Sequence, residues 1–540
     1  MHSAVLCLNC QGSSLARTGN RDVPERSFAG RRRGPIASIN VWLAAALLRP
    51  RTAAASVMAA ITAALLINLL MLVLMKPAET LFLDCTEAYA WGRQFLFGYG
   101  RHPPVTGWIA GVWYRVFPAE NWASYALSQV MTGISLVSIY FIGKHVLGRR
   151  RATLVVFAML LYPLFVGGKS DHYNNAQVLL AILPLTVWMF LRAYEKPTLS
   201  RGLMLGLAAA ASMLTYYSAT FGLLGLTLAA VMLPGRRNFF TSPAPYAAIA
   251  AFVLALIPHA VWLANNNFST LHWVDSLVEF RWNSFSIVSY LAQQFGLLAF
   301  CLIGAAIAVW PWRFRKVTEP PRADERAIVT IVATVLVLGP VLLALARHVS
   351  LQLGWGNSLF FLVPIAVASF LPMVLVTRRA VVVSVWIAAI FLSAQLFGSP
   401  VYAWARFRIM PDDGVYRPFS EAAAEITELW RERFHSPLPI VAGGFEIASP
   451  VVFYSPDHPK MFADFIPAYS PWINFPDELI HKGYVGICLD DGSVYYAACL
   501  RYFAKFNPDA ERIDIALQRH AYGTATPPLK LHLEIVGPKP

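Results

Sequence analysis

Residues 54–75 read AASVMAAITAALLINLLMLVLM, a run of 22 residues without a charged side chain. About 20 apolar residues in a helix cross the hydrocarbon layer of a membrane, so this stretch predicts a transmembrane helix. Similar stretches recur and predict eleven spans, at 54–75, 122–145, 152–168, 176–194, 202–215, 219–234, 243–263, 287–310, 327–346, 357–376 and 380–397. The two short stretches flanking 215–218 are also compatible with one long hairpin or a re-entrant pair.

The composition of the whole chain agrees with a membrane protein. Of 540 residues, 57% are apolar and only 14% are charged, and the net charge is +14. A soluble domain has about 25% charged residues, and disordered chains are poor in apolar residues, so both classes are excluded. The basic excess would suit a nucleic-acid-binding protein, but the apolar content would not. No nucleic-acid partner is predicted.

The basic residues concentrate in alternate loops, which predicts the orientation of the chain. One set of short loops contains 16 Lys and Arg residues, whereas the other set is longer but contains seven. Because cytoplasmic loops carry the excess of Lys and Arg, the first set is assigned to the cytoplasm, together with the Arg-rich N-terminal tail. Eleven spans then place the C-terminus in the periplasm or an equivalent compartment. The predicted location is the inner (plasma) membrane.

Three domains are predicted: a disordered basic cytoplasmic tail (1–52), a transmembrane domain (53–399) and a periplasmic α/β domain (400–540). The last contains helical patterns at 421–434 and 446–454 and strand patterns at 439–444, 484–489 and 529–536. Cys488 and Cys499 lie eleven residues apart on the predicted oxidising side. A disulfide and two buried thiols are both open there.

Candidate catalytic groups lie in the predicted outward loops. In the first loop, Asp84 and Glu87 fall on one face if the segment is helical. When two carboxylates are neighbours, the pKa of one of them rises, which suits a general base. In the alternative interpretation, one of them only caps an interfacial helix and pairs with Arg93. Arg101 and His102 precede Pro103-Pro104, whose fixed backbone would make a rigid cationic corner suited to a phosphate.

The second outward loop, 167–175, contains further polar groups. Lys169 could bind a phosphate, and Asp171 could orient a sugar or an acceptor. Other catalytic patterns are missing from the sequence, which has no P-loop, no HExxH, no paired CxxC and no GxSxG elbow. No nucleotide site and no metal site are therefore predicted.

These loops resemble a known family. The strings Asp84-x-x-Glu87-Ala-Tyr-x-Trp-Gly and Gly98-Tyr-x-x-His102-Pro-Pro resemble family 39-type membrane glycosyltransferases of the GT-C class. That class includes relatives of protein O-mannosyltransferases, lipid A aminoarabinose transferases and lipopolysaccharide-core uronosyltransferases. The similarity continues through 171–192, 214–218 and 258–265, and it covers roughly residues 60–400.

The resemblance implies an enzyme that moves one sugar from a polyprenyl-phosphate donor to a hydroxyl of a cell-envelope lipid or glycan, with inversion at the anomeric carbon. Its expected partners are the donor, the acceptor and membrane lipids. A lipid monophosphate has no diphosphate for a divalent ion to neutralise, so no metal or other cofactor is expected. The alternatives are a transporter or flippase of lipid-linked sugars and a noncatalytic scaffold.

The resemblance also implies roles for particular residues. Asp84 would be the base, and Glu87 would share that role or orient the acceptor. The phosphate would contact Arg101, His102 and Lys169, and the sugar or acceptor would contact Asp171, Asn174 and Asn175. Tyr216 stands where the family usually has Lys, so Tyr216 is a further candidate for substrate binding.

Overall fold

The computed structural model describes residues 34–278, 282–310, 323–370, 377–506 and 510–539. The chain divides into two units, Met1–Leu43 and Ala44–Pro540. Helix α1 (Pro35–Leu48) begins in the first unit. Most of the predicted basic tail and the basic loop at 311–322 lie outside the described residues, so their predicted cytoplasmic location stays a prediction.

Helices make up most of the second unit as far as residue 409. They are α2 Ala53–Met75, α3 Leu83–Gly92, α4 Val105–Trp113, α5 Asn121–Leu147, α6 Arg149–Met159, α7 Asn175–Glu195, α8 Leu199–Met213, α9 Ala219–Met232, α10 Arg236–Phe240, α11 Ala244–Asn265, α12 Ser269–Val278, α13 Phe285–Val309, α14 Ala323–Arg347, α15 Val363–Phe370 and α16 Arg378–Ile409.

Seven of the described helices, namely α2, α5, α7, α11, α13, α14 and α16, are long and apolar enough to cross a membrane. By length and composition, these helices agree with the prediction of a polytopic α-helical membrane protein. The other four predicted spans overlap the shorter described helices α6, α8, α9 and α15, and residues 371–376 of the span at 357–376 lie outside the described residues. The count of eleven therefore stays a prediction. Helices α8 and α11 approach closely because glycines of α8 face the α11 backbone: a Cβ on Gly202 or Gly206 would collide with it.

A buried polar cluster anchors the loop between α6 and α7. Asn68 of α2 donates hydrogen bonds to Gln129 Oε1 of α5 (2.8 Å) and to Ser170 Oγ of the loop (2.8 Å). Asn68 Oδ1 accepts a hydrogen bond from Gly167 N (3.1 Å). Because unpaired polar groups are costly in a protein interior, these bonds fix the start of the loop that carries the second set of candidate residues.

The C-terminal part is an α/β segment, as predicted. Its helices are α17 Phe419–Phe434, α18 Phe445–Tyr454, α19 Asp477–Lys482 and α20 Val494–Phe506. Its strands are β1 Ile440–Gly443, β2 Lys460–Ala463, β3 Tyr484–Leu489, β4 Glu511–Leu517, β5 His520–Ala521, β6 Thr524–Ala525 and β7 Leu529–Val536. A five-stranded sheet has the order β2-β1-β3-β7-β4, in which β1 is parallel to β2 and β3, and β7 is antiparallel to β3 and β4.

The sequence left open whether two cysteines of this segment are bonded. Cys488 of β3 and Cys499 of α20 form a disulfide. Helix α16 passes through Pro400 and ends at Ile409. The periplasmic location of the segment and the division of the chain at 52 and 399 stay predictions.

The α/β segment packs on the first loop. Thr86 Oγ1 of α3 lies 3.0 Å from Ser449 Oγ of α18. Tyr454 OH, at the end of α18, accepts a hydrogen bond from Leu81 N (2.9 Å). Buried side chains of α3, α18 and the sheet belong to one apolar cluster. The candidate residues of the first loop are therefore supported from the C-terminal part of the chain.

Candidate active site

Helix α3 carries both predicted carboxylates. Asp84 lies in its first turn, where a negative charge is favourable beside the N-terminal end of the helix dipole. Glu87 follows three residues later on the same side of the helix. The two side chains nevertheless differ in environment, because Asp84 is half-buried whereas Glu87 is only 5% exposed.

Asn174 connects Asp84 to the second loop. Its Nδ2 donates a hydrogen bond to Asp84 Oδ2 (3.0 Å). Its Oδ1 accepts a hydrogen bond from Gln177 N (2.9 Å) and caps α7. Burial raises the pKa of Asp84 above its ordinary value, while the bond from Asn174 and the charge of Arg101 act against that rise. Asp84 is thus a carboxylate held in one orientation by a neutral donor.

Glu87 faces Arg101, which the structure places in a buried ion-pair cluster. Arg101 Nη1 lies 3.4 Å from Glu87 Oε1, and Nη2 is ion-paired with Asp464 of the α/β segment. The guanidinium lies 3.9 Å from the centre of the Phe445 ring and 4.6 Å from that of Trp273. Burial raises the pKa of Glu87 to about 7; Arg101 opposes this rise, and Asp84 and Asp464 add to it.

The corner at His102 is a tight turn. Tyr99 N and His102 N each donate to the carbonyl oxygen of the other residue, at 3.0 and 3.3 Å. A Cβ on Gly100 would collide with the backbone of Tyr469, so glycine lets the turn pack against the α/β segment. Burial and the charge of Arg101 lower the pKa of His102 to about 3. At neutral pH the imidazole is uncharged.

Tyr216 completes the group around Asp84. Its ring centre lies 6.2 Å from that of His102. Burial raises the pKa of Tyr216 to about 12, and the charge of Asp84 adds to the rise. The phenol therefore stays protonated and can donate a hydrogen bond.

Neighbouring residues of α11 hold the first loop in place. His259 lies 2.7 Å (Nδ1) from Phe97 O and 2.9 Å (Nε2) from Tyr217 OH. A Cβ on Gly98 would collide with the Trp262 ring. Three separate stretches that carried the family resemblance, around 98–102, 214–218 and 258–262, thus lie against one another.

Asp171 is turned away from this group. Its carboxylate lies 2.9 Å from Lys76 Nζ, and Lys76 also lies 3.0 Å from Glu79. Glu79 in turn pairs with Arg406 of α16 at 2.9 Å. Burial lowers the pKa of Lys76, but the two carboxylates outweigh burial and keep the pKa above its ordinary value. This ionic chain joins the end of α2, the second loop and α16.

The structure therefore brings together most of the predicted site residues: Asp84, Glu87, Arg101, His102, Asn174 and Tyr216. Lys169 is exposed, whereas Asp171 is 2% exposed and ion-paired. Asn175 is buried, and its Oδ1 has no hydrogen-bond partner among the described residues. The predicted substrate contacts of these residues stay predictions.

Some residues of the site were missed in the sequence. Lys76 directly follows the first apolar span with Glu79 three residues on, and an ionisable cluster at the end of a span is a usable signal. Asp464 lies 363 residues from Arg101, and no local pattern points to it. Within the described ranges, no group of three or more His, Cys, Asp and Glu side chains could hold a metal ion.

Part of the chain is similar in sequence to known glycosyltransferases. Residues 101–262 match the family described as dolichyl-phosphate-mannose-protein mannosyltransferase. The chain is 25% identical to the lipopolysaccharide core galacturonosyltransferase RgtA of Rhizobium johnstonii over 236 residues, which are 43% of this chain and 46% of that protein. It is 20% identical to the lipid A galacturonosyltransferase RgtD of the same organism over 237 residues, 41% of this chain and 47% of that protein.

The chain thus spans less than half the length of these curated relatives. Its fold is similar over a longer stretch to that of solved ArnT structures from Cupriavidus metallidurans. The apo structure aligns with a TM-score of 0.56 and 13% identity over 88% of this chain and 97% of that one. The structure bound to undecaprenyl phosphate aligns with a TM-score of 0.55 over the same shares. The predicted resemblance to GT-C-type membrane glycosyltransferases is confirmed.

Proposed function

We propose that this chain transfers a single sugar from a polyprenyl-phosphate donor to a hydroxyl of a cell-envelope lipid or glycan at the periplasmic face of the inner membrane. The observation that carries the proposal is the hydrogen bond between Asn174 and Asp84. It joins the two loops that the sequence marked independently and orients a half-buried carboxylate, within a fold similar to that of a protein solved with undecaprenyl phosphate.

In the proposed reaction, Asp84 takes the proton of the acceptor hydroxyl as its oxygen attacks the anomeric carbon. The bond from that carbon to the phosphate oxygen breaks with inversion, and polyprenyl phosphate leaves. Asp84 suits the base role better than Glu87, because Asp84 accepts a hydrogen bond from a neutral amide, whereas Glu87 is paired with a buried cation. A raised pKa also favours proton uptake by Asp84 near neutral pH.

Glu87 acts on the base through charge. When Glu87 is ionised it offsets Arg101, and when it is protonated the charge of Arg101 acts unopposed on Asp84 and weakens it as a base. Because the pKa of Glu87 is about 7, the proposed transfer rises as the pH passes upward through that region. We therefore propose that Arg101 acts on the charges of Asp84 and Glu87. This replaces the contact between Arg101 and the donor phosphate that was expected from the sequence.

We assign the contacts with the donor phosphate to polar groups that are less engaged in ion pairs than Arg101. Lys169 is exposed and brings a positive charge. His102 and Tyr216 are uncharged polar groups beside Asp84 and can hydrogen-bond to phosphate or sugar oxygens. Asn175 can contribute its buried carbonyl oxygen, which has no hydrogen-bond partner in the described part of the chain, to a sugar hydroxyl. Asp171 is proposed to hold the second loop through Lys76 rather than to touch the sugar.

The test is transfer by the purified full-length protein, followed by mass spectrometry of the products. Polyprenyl-phosphate galacturonate and mannose are suitable first donors, with lipid A and core oligosaccharide as acceptors, because these are the sugars and acceptors in the names of the matched proteins. Asp84→Asn should reduce kcat about 10²- to 10⁴-fold, the usual contribution of a general base. Glu120→Gln, an exposed change in the same loop, should leave kcat unchanged.

The outcomes separate the candidate functions. Full transfer by Asp84→Asn would overturn the assignment of the base. A wild-type protein that transfers no sugar but moves lipid-linked sugar between the leaflets of a vesicle would be a flippase. A protein that does neither with a broad panel of donors would fit the noncatalytic scaffold.

A further inference from the structure

Asp464 is held in a fixed conformation at the edge of the α/β sheet. It follows β2 and has a left-handed backbone (φ +54°), which Asp and Asn tolerate better than most residues. Its N–H donates to Gly443 O at the end of β1 (2.7 Å). Its Oδ1 accepts a hydrogen bond from Phe445 N at the start of α18 (3.2 Å). These two hydrogen bonds, to the end of β1 and the start of α18, therefore fix the direction of its second carboxylate oxygen, Oδ2.

That second oxygen, Oδ2, is ion-paired with Arg101. Arg101 is only 4% exposed, and a buried guanidinium is costly unless its donors find acceptors. Its fork bridges two carboxylates that come from opposite ends of the sequence, Glu87 on one Nη and Asp464 on the other. Aromatic rings close around it, including Tyr469, whose centre lies 5.2 Å from the guanidinium.

We propose that Asp464 is a positioning residue of the active site: it holds Arg101 against Glu87, so that the α/β segment forms part of the catalytic machinery. This inference rests on the proposed transferase function for its kinetic consequences. The ion-pair geometry itself does not depend on that function.

The charges around Glu87 determine what removal of Asp464 would do. Asp84 faces Glu87 from the same helix, Arg101 from the corner and Asp464 from the α/β segment. Glu446 of α18 lies in the field of Arg101 and Asp464. Loss of the Asp464 charge removes a negative neighbour of Glu87 and leaves Arg101 to pair with Glu87 alone. Both changes favour ionised Glu87 and lower its pKa.

The decisive variant is Asp464→Asn. Asparagine tolerates the left-handed backbone and can still accept the hydrogen bond from Phe445 N, so the fold should be kept. In kcat/KM plotted against pH, the acidic limb should move about one unit toward lower pH, a typical effect of a single nearby charge. Asp464→Glu keeps the charge and should keep the limb near its wild-type position.

Asp457→Asn is the matched control, because Asp457 forms an ion pair with Arg431 elsewhere on the same segment. It should lower thermal stability without moving the limb. A second readout needs no turnover: the infrared band of protonated Glu87, identified by its loss in Glu87→Gln, can be titrated in the full-length protein. Its midpoint should fall in Asp464→Asn.

These readouts keep the two hypotheses apart. A lowered infrared midpoint in a protein that transfers no sugar would support the role of Asp464 while the transferase proposal fails. An acidic limb and an infrared midpoint that both stay at their wild-type positions in Asp464→Asn would overturn the inference.

Discussion

Asn174 offers the most direct test of how the two loops cooperate, because one side chain makes two separable hydrogen bonds. Its Oδ1 caps α7, and its Nδ2 orients Asp84. Asn174→Ser keeps a good N-cap, but the serine hydroxyl is too short to reach Asp84. Asn174→Ala removes both bonds. Comparing the two variants therefore separates helix stability from positioning of the proposed base, Asp84.

The expected magnitudes follow from these bonds. A hydrogen bond to a charged group contributes about 1.5–3 kcal/mol, which corresponds to roughly a 10- to 150-fold loss in kcat/KM. Asn174→Ser should show this kinetic loss with almost unchanged thermal stability. Asn174→Ala should show the same kinetic loss and also lose about 1 kcal/mol of stability with the cap. Thr198→Ala removes the cap of α8 and should affect stability alone.

The assay is sugar transfer by each variant, alone and combined with Asp84→Asn, with thermal unfolding of the same preparations. If Asn174 acts through Asp84, Asn174→Ser should cause little further loss once Asp84 is replaced, because residues that act as a unit are not additive. Equal losses in both backgrounds would refute the reasoning. So would an unchanged kcat/KM in Asn174→Ser.

Three further predictions concern stability and topology. Lys76→Met should cost about 3–5 kcal/mol of unfolding free energy in detergent, because two buried carboxylates lose a cation. Lys482→Met removes an exposed lysine from an ion pair and should cost at most about 1 kcal/mol. Equal losses in the two variants would contradict this prediction. Replacing Cys488 and Cys499 by Ser should cost about 3 kcal/mol and make thermal unfolding insensitive to reductant. A single cysteine at 411–414 should react with a membrane-impermeant thiol reagent from the periplasmic side; labelling only from the cytoplasm would reverse the predicted orientation.

The long helices could be predicted because the hydrocarbon layer imposes a local requirement. Any segment that crosses must be apolar for about 20 consecutive residues, and 54–75 shows this without reference to the rest of the chain. The strands at 484–489 and 529–536 were also predicted with their observed bounds, because the first is a continuous apolar run and the second alternates apolar and polar residues over almost its whole length. The edge strand β4 alternates polar and apolar residues and was missed.

The role of Arg101 could not be predicted in the same way. A cation beside two prolines looks available for a phosphate as long as its surroundings are unknown. The structure surrounds it with two carboxylates and three aromatic rings. The second carboxylate, Asp464, is supplied by a residue 363 positions away, and contacts over such a separation leave no periodic or local signal. Sequence reasoning found the cation but not its partners.

The same argument explains why spacing alone left the base unassigned. Asp84 and Glu87 are three residues apart on one helix, so any pattern treats them alike. Their proposed roles differ because their surroundings differ: Asp84 faces a neutral amide, and Glu87 faces a buried guanidinium that it shares with Asp464. Because Arg101 acts on both carboxylates and the charge of Asp84 also acts on Glu87, the pair should titrate as one coupled system. A pH profile of the wild type alone would therefore report the pair, and only variants that change one partner at a time can assign the proton to Asp84.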